Sequence, residues 1–369
     1  MCVAFFLFHA TIGSSNNDEA SPALSHPYKL LLAANRDEFI ARPTEPAHLW
    51  QETSNAHLHI LAGTDLGAPA PAGRGGTWLG VSRARGRFAF LTNVRETTPR
   101  LDARGRGGLV RGFLVGAEAP RVYLQGVVQE AGEYNGFNLV VGDLRAGEVW
   151  YFGNRMGGDG MPIQLKDGIV YGLSNGTSLE EPRHTKVKVE KGIERVKKVL
   201  AGIQPRGELG EDAETKIVDA LELAAEAPLS RDEVVEELLD ILRDKSVPDH
   251  LPDFHSQSPM LKFLSPICID QVGGYGTRTH TVVVVDSAWN AKMVEIDRYL
   301  VQENVSWEGK RILCIEDDMN GHDTDGESDS ASLPGNGIEF CEQRRDFEFK
   351  IDYAKEDVAI VSESMEGAE

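Results

Sequence analysis

Tyr28-Lys29-Leu30-Leu31-Leu32-Ala33-Ala34 runs without a break into Asn35-Arg36-Asp37-Glu38. Seven residues with so little polarity suit a strand buried on both faces. The tetrapeptide that follows does not suit a core, because buried charges need partners. Two adjacent acids flanked by Arg and Asn therefore mark either a functional site or a strand-end turn with surface ion pairs. The same pattern, a polar residue next to an apolar strand, recurs elsewhere. Asn93 follows Phe88-Ala89-Phe90-Leu91-Thr92, Asn175 follows Tyr171-Gly172-Leu173-Ser174, and Arg278 precedes the strand that opens at Thr279. Strand ends on one edge of a sheet can converge, and an Asn amide there can serve as an oxyanion donor. Each Asn taken singly also reads as a turn former.

Cys2 begins the first apolar strand, Val3 to Phe8. Removal of Met1 by an aminopeptidase is expected before so small a residue. Cys2 would then carry a thiol beside a free α-amine. The amine titrates at ~7.7–8.0 and the thiol at ~8.5, so the amine can accept the proton that makes the thiolate. In that reading Arg36 and Asp37 position the amine and thiol. The alternative is a small, inert cysteine at a strand start.

Outward from these segments the pattern predicts strands at 58–62, 169–173, 267–270, 279–286 and 291–299. Hairpins are expected over 77–82 with 87–92 and over 137–141 with 148–152. Helices are expected at 105–116, 120–131, 185–200 and 212–226, and after the capping box Ser230-x-x-Glu233. Strands, a helical block and more strands indicate an α+β layered fold. Residues 11–27 read as a loop insertion in one domain over 1–300. Residues 301–340 read as an acidic, disordered insertion, 341–352 as a final strand and 353–369 as an acidic tail. The acid-rich 316–336 stretch is a candidate segment for protein partners. Met1 to Ile12 lacks a basic n-region and a cleavage site, so it reads as a strand rather than a signal peptide.

The chain has 369 residues, with 38 Lys and Arg against 58 Asp and Glu, for a net charge of −20. That balance argues against nucleic acid and anionic membrane as partners. No apolar run approaches the ~20 residues of a membrane helix. Cys2, Cys268, Cys314 and Cys341 form no C-x-x-C pair, which fits a reducing compartment and no zinc site. One segment breaks the acidity. From Arg74 to Arg111 there are nine Arg, no Lys, and only Glu96 and Asp102 as acids. Guanidinium forks suit carboxylate and phosphate, so Arg95, Arg104 and Arg106 are candidate ligand contacts, with solvated strand and loop ends as the bland alternative. His57 and His59 alternate on a possible strand and so share a face, but no third ligand is evident, so no metal is expected. Trp78 reads as core or as a pocket wall.

Taken together, Met1-Cys2, LLAANRDEFIAR over 31–42, GGTWLG over 75–80, Leu91-Thr92-Asn93, ARGRG over 103–107, NGFNL over 135–139, YGLSN over 171–175 and GYGTRT over 274–279 resemble the NRDE-motif family, that of the transport and Golgi organisation protein. The family resembles N-terminal-nucleophile hydrolases. This implies a four-layer αββα sandwich of two antiparallel sheets. By the same resemblance Cys2 is the nucleophile, and Arg36 with Asp37 the pair that orients it. Asn93 and Asn175 are oxyanion and amine-holding groups, and Arg278 is the cation that lowers the thiol pKa. Asn-Arg-Asp-Glu is compressed relative to the acylases of that fold, so the orienting acid is Asp37 or Glu38. Two functions are implied. One is secretory-pathway and Golgi organisation with haem or acyl-CoA handling, through an Arg-lined cleft containing Asn35, Arg36, Asp37 and Glu38, for a small anionic, partly apolar ligand. The other is an amidohydrolase on small C–N amide bonds. No cofactor is required by either. A cytoplasmic location is implied, with Golgi or mitochondrial association as variants.

Overall fold

In a computed structural model, residues 2–9, 26–50, 59–67, 75–176, 179, 186–203, 228–247, 262–301 and 338–351 are described. The strands are β1 (Val3–Phe8), β2 (Tyr28–Phe39), β3 (Thr44–Leu49), β4 (Ile60–Asp65), β5 (Leu79–Ser82), β6 (Arg87–Asn93), β7 (Phe137–Asp143), β8 (Glu148–Gly153), β9 (Ile163–Gln164), β10 (Tyr171–Leu173), β11 (Tyr275–Asp286), β12 (Asn290–Val301) and β13 (Ile338–Lys350). The helices are α1 (Gly107–Val115), α2 (Pro120–Glu130), α3 (Lys186–Ile203) and α4 (Arg231–Leu242). A six-stranded sheet has the order β10-β1-β2-β11-β12-β13, and a seven-stranded sheet runs β3 to β9 in sequence. Every strand pairing is antiparallel.

Alternation along the strands sets the layers, because successive side chains point to opposite faces. Ala4, Phe6, Phe8, Leu30, Leu32, Val283 and Met293 meet Leu61, Val81, Phe88, Phe90 and Val140 between the sheets. The residues one step along, Val3, Phe5, Leu7, Leu31, Ala33, Val282 and Val284, pack on α3 and α4. On the far side Ala62, Ala89, Leu91, Leu139 and Val141 pack on α1 and α2. The result is the expected αββα sandwich, and its two-sided burial explains why YKLLLAA carries so little polarity.

Several expectations shift. Ile267, Cys268 and Ile269 are buried, but the 267–270 segment is not a strand. Its backbone is satisfied by Thr277, whose N–H donates to Ile269 O at 2.9 Å and whose hydroxyl accepts from Ile269 N at 2.7 Å. The strand expected at 58–62 runs Ile60–Asp65, and the last strand begins at Ile338. Sequence reading passed over β3, whose Thr-Glu-Pro-Ala-His-Leu is polar and contains Pro46. Its position at a sheet edge, with a register shift between Glu45 and His48, is where a strand tolerates proline. The Ser230–Glu233 capping box forms in both directions. The expected helix at 212–226, His57, the 11–25 stretch and the acidic 316–336 segment lie outside the described residues. Among the described residues, no helix is long and apolar enough to cross a membrane, and no cluster of His, Cys, Asp and Glu could hold a metal.

Candidate functional site

The register of β2 divides the NRDE tetrapeptide between two faces. Asn35 and Asp37 take the helix side, continuing Leu31 and Ala33, while Arg36 continues the inter-sheet row of Leu30, Leu32 and Ala34. Asn35 is buried, and its amide nitrogen donates to Leu242 O at 2.8 Å and Ile267 O at 2.9 Å. Its oxygen lies 2.6 Å from His280 Nδ1. Burial pushes that imidazole down to about 3, so it is neutral and can donate to the amide oxygen. Asn35 ties the end of α4 to the sheet. Arg36 reaches the opposite sheet, to Thr44 Oγ1 at 3.0 Å and Asp65 at 3.6 Å. Its guanidinium carbon sits 4.1 Å from the Trp78 ring centroid. Trp78 in turn covers Gly63, where a Cβ would fall 2.4 Å from the ring.

Asp37 stays close to the cysteine. The Cys2 thiol contacts Asp37 O at 3.9 Å, and Asp37 Oδ1 accepts from Thr277 Oγ1 at 2.6 Å. Burial raises both groups above their ordinary values, and for Asp37 the nearby cations, Lys188 among them, oppose the rise. β10 pairs with β1, so its end joins the same place. Ser174 Oγ donates to Cys2 O at 2.6 Å, and Asn175 Nδ2 donates to Asn93 O at 2.5 Å. Arg95 N completes the stitch to Asn175 O at 3.2 Å. Cys2, Asp37, Asn93 and Asn175 thus gather from four strands of two sheets. Asn138 locks the junction from beneath. It is fully buried, donates to Thr92 Oγ1, Ser174 O and Gly176 O, and accepts from Tyr151 OH at 2.7 Å.

Arg278 sits at a bulge in β11 and donates to Arg42 O. Burial, followed by the like charge of Arg36, pulls it down to about 10. The cations whose fields reach the thiol include Arg106 and Lys188. Arg106 is placed by a close backbone contact. Thr77 N donates to Gly107 O at 3.2 Å, and a Cβ on Gly76 would fall 2.8 Å from Gly107. The glycines of GGTWLG and ARGRG therefore seat the start of α1, with Arg106 at its cap. Arg104 does not join this group. It pairs with Glu130 and Glu133 and lies over Tyr134.

The Arg74–Arg111 segment is thus no continuous anion surface. Arg85 and Arg87 serve carbonyls after α1, Arg100 pairs with Asp102, and Arg111 donates to Gly75 O. Their fork geometry answers backbone oxygen as readily as phosphate.

Sequence reading missed Lys188 and Ser174. Lys188 falls within the helix expected at 185–200. A signal was present, since Lys188 falls one turn before Gly192 beside the Val189–Val196–Val199–Ile203 stripe. Glu295 was also missed. It lies between the sheets and accepts from Ala47 N at 2.5 Å; burial, aided by Asp297, pushes its carboxyl up to about 8. A folded pKa above the unfolded one gives stability that is full below the unfolded value and lost as pH rises through the folded value. Glu295→Gln is therefore expected to melt above the parent at about pH 8, with the gap closing toward about pH 5. Thermal unfolding at the two pH values checks this.

Two antiparallel sheets held face to face between helices, with Cys2 beside the strand ends, make this an αββα sandwich. The description Transport and Golgi organisation 2 matches residues 1–300. The mouse Transport and Golgi organization 2 homolog is 34% identical over 317 residues, covering 84% of this chain and 96% of the relative. The human homolog is 34% identical with the same coverage, and the Drosophila melanogaster protein is 29% identical over 80% of this chain and 91% of its own length. The chain belongs to the Transport and Golgi organisation 2 family. It is also similar in structure to a Caenorhabditis elegans ortholog of N-acylethanolamine-hydrolyzing acid amidase. That likeness has a TM-score of 0.40 and 10% identity over 76% of this chain and 92% of the other, and is recorded as a likeness alone.

Proposed function

We propose that this chain contributes to secretory-pathway and Golgi organisation by holding a small anionic, partly apolar ligand, an acyl-CoA or haem, at the Cys2 site. The observation that carries the reading is Arg106. Its guanidinium lies in the field of Cys2, and its one hydrogen bond among the described residues is Nη1 to Gly136 O at 2.9 Å. A guanidinium has five N–H donors in a fork that fits phosphate and carboxylate. Acyl-CoA asks less of the site than haem does. Burial raises the Cys2 thiol, and a neutral thiol does not ligate iron until it loses its proton. The test is an equilibrium titration of the full chain with palmitoyl-CoA at two salt concentrations. Arg106→Ala is expected to weaken binding about tenfold and to flatten the salt dependence. Unchanged affinity in that variant would remove the reading.

A second reading is favoured by the convergence of Ser174, Asn175 and Asn93 on Cys2. It is an amidohydrolase in which the freed α-amine takes the thiol proton, sulfur attacks the amide carbon, the protonated amine leaves, and water releases the acid. Cys2→Ala is expected to abolish turnover of a small amide panel while the fold survives. Turnover persisting in that variant would exclude it.

A further inference from the structure

The glycines of Gly273-Gly274-Tyr275-Gly276 bring one aromatic ring to Cys2. Gly273 and Gly274 have φ of 57° and 74°, the two left-handed steps of a type I′ hairpin turn. Val272 and Tyr275 face each other across it, exchanging N–H to carbonyl bonds of 2.9 and 3.0 Å. A Cβ on Gly276 would fall 3.1 Å from Asp270 O, so the returning strand lies close against the segment before the turn. Ile40 N donates to Gly274 O at 2.8 Å and ties the turn to the end of β2. Tyr275 is thereby held over the site. Its hydroxyl donates to Asp37 O at 3.2 Å, the same oxygen that the Cys2 thiol contacts at 3.9 Å.

Tyr275 pairs in register with Phe39, and their rings meet edge-on with centroids 5.3 Å apart. Directly opposed residues of antiparallel strands share a face, so Phe39, Tyr275 and Val272 form one row. β1 borders β2 on the side away from β11, so the row leads away from Cys2. Neighbouring backbones lie about 4.8 Å apart, which makes the row about 10 Å long and one side chain wide. All three residues stay partly exposed, Val272 by 38%. The helix layer stops short of them, because Leu242, the last residue of α4, already meets Asn35 earlier in β2.

We infer that Phe39, Tyr275 and Val272 form the apolar track of the Cys2 site, on which a linear alkyl or acyl chain lies while its polar end reaches Cys2. The inference deepens the reading of a partly apolar ligand at Cys2 and rests on it. A row one side chain wide suits an extended chain better than a planar macrocycle, which needs a slot with two faces. Apolar side chains beside a few convergent polar groups are the usual make-up of a small-molecule site.

The experiment is the labelling rate of Cys2 on the full chain by N-ethyl-, N-butyl- and N-octylmaleimide, read by peptide mass spectrometry. Free glutathione sets the intrinsic ratio of the reagents. They are neutral, so the series senses apolar surface beside the thiol and not Arg106 or salt. The ratio of N-octyl to N-ethyl rates also cancels any change in the thiol itself. In the parent that ratio is expected to exceed glutathione's by about tenfold or more, as methylenes leave water. Tyr275→Ser is expected to cut the excess to about threefold, and Tyr275→Phe, which keeps the ring, is expected to preserve it. Val272→Ser changes an exposed position and is expected to lower the excess about twofold, so it carries the test should Tyr275→Ser fail to fold. A parent ratio equal to glutathione's, a Cys2 that no reagent labels, or an excess undiminished in the folded serine variants overturns the inference. The ligand reading fails separately. A parent chain that leaves palmitoyl-CoA unbound strikes that reading while the maleimide excess stands.

Discussion

Arg87→Met is expected to lower stability by about 3–4 kcal/mol, a fall in melting temperature of about 5 °C for a chain of this size. Arg87 is buried, and its guanidinium closes the end of α1. Nη1 donates to Phe113 O at 3.0 Å and Gly116 O at 2.6 Å, and Nη2 donates to Glu118 O. Carbonyls at a helix C-terminus have no intrahelical partner. Methionine leaves these oxygens without that donor and removes the partner of Asp143 at 3.8 Å. Arg87→Lys keeps the charge but cannot fork across three carbonyls, so it is expected to fall between the two. Chemical denaturation of the three proteins checks the order. Arg87→Met as stable as the parent would show that the segment's arginines are not structural.

Asn35→Leu is expected to cost roughly 3 kcal/mol or more. Leucine matches the volume but leaves Leu242 O, Ile267 O and His280 Nδ1 without their amide partner in a dry place. The neutral imidazole keeps a donor with no acceptor, which is the costly side of the exchange. Because Asn35 faces α4, palmitoyl-CoA affinity per folded molecule is expected to stay unchanged. Calorimetric unfolding together with a binding titration separates the two effects. Lost affinity with intact stability would return Asn35 to the ligand site.

Much of this was legible in the chain. YKLLLAA announced a doubly buried strand, and polar strand ends at Asn93 and Asn175 marked the junction that Ser174 ties to Cys2. Period-two alternation also contained the division of NRDE between faces, although four adjacent polar residues read more naturally as one cluster. Other features depended on approaches that no linear pattern displays. Gly76 against Gly107 places Arg106, and Gly192 against Phe5 buries Lys188. The arginine-rich segment divides between the fold and the site for a physical reason. A guanidinium's affinity for oxygen does not distinguish a helix end from a ligand, and composition alone cannot tell which is nearer.

The most direct test of the site is its location by crosslinking. A diazirine-bearing acyl-CoA, photolysed on the full chain and mapped by peptide mass spectrometry, reports where the ligand sits. Adducts on peptides carrying Cys2, Glu38 or Arg106 are the predicted result. A cavity of about 630 Å³ between α1 and α2 is lined by Tyr123, Val127, Glu130 and Tyr134. Adducts concentrated there, or spread along the chain without preference, would contradict a ligand site at the N-terminal cysteine.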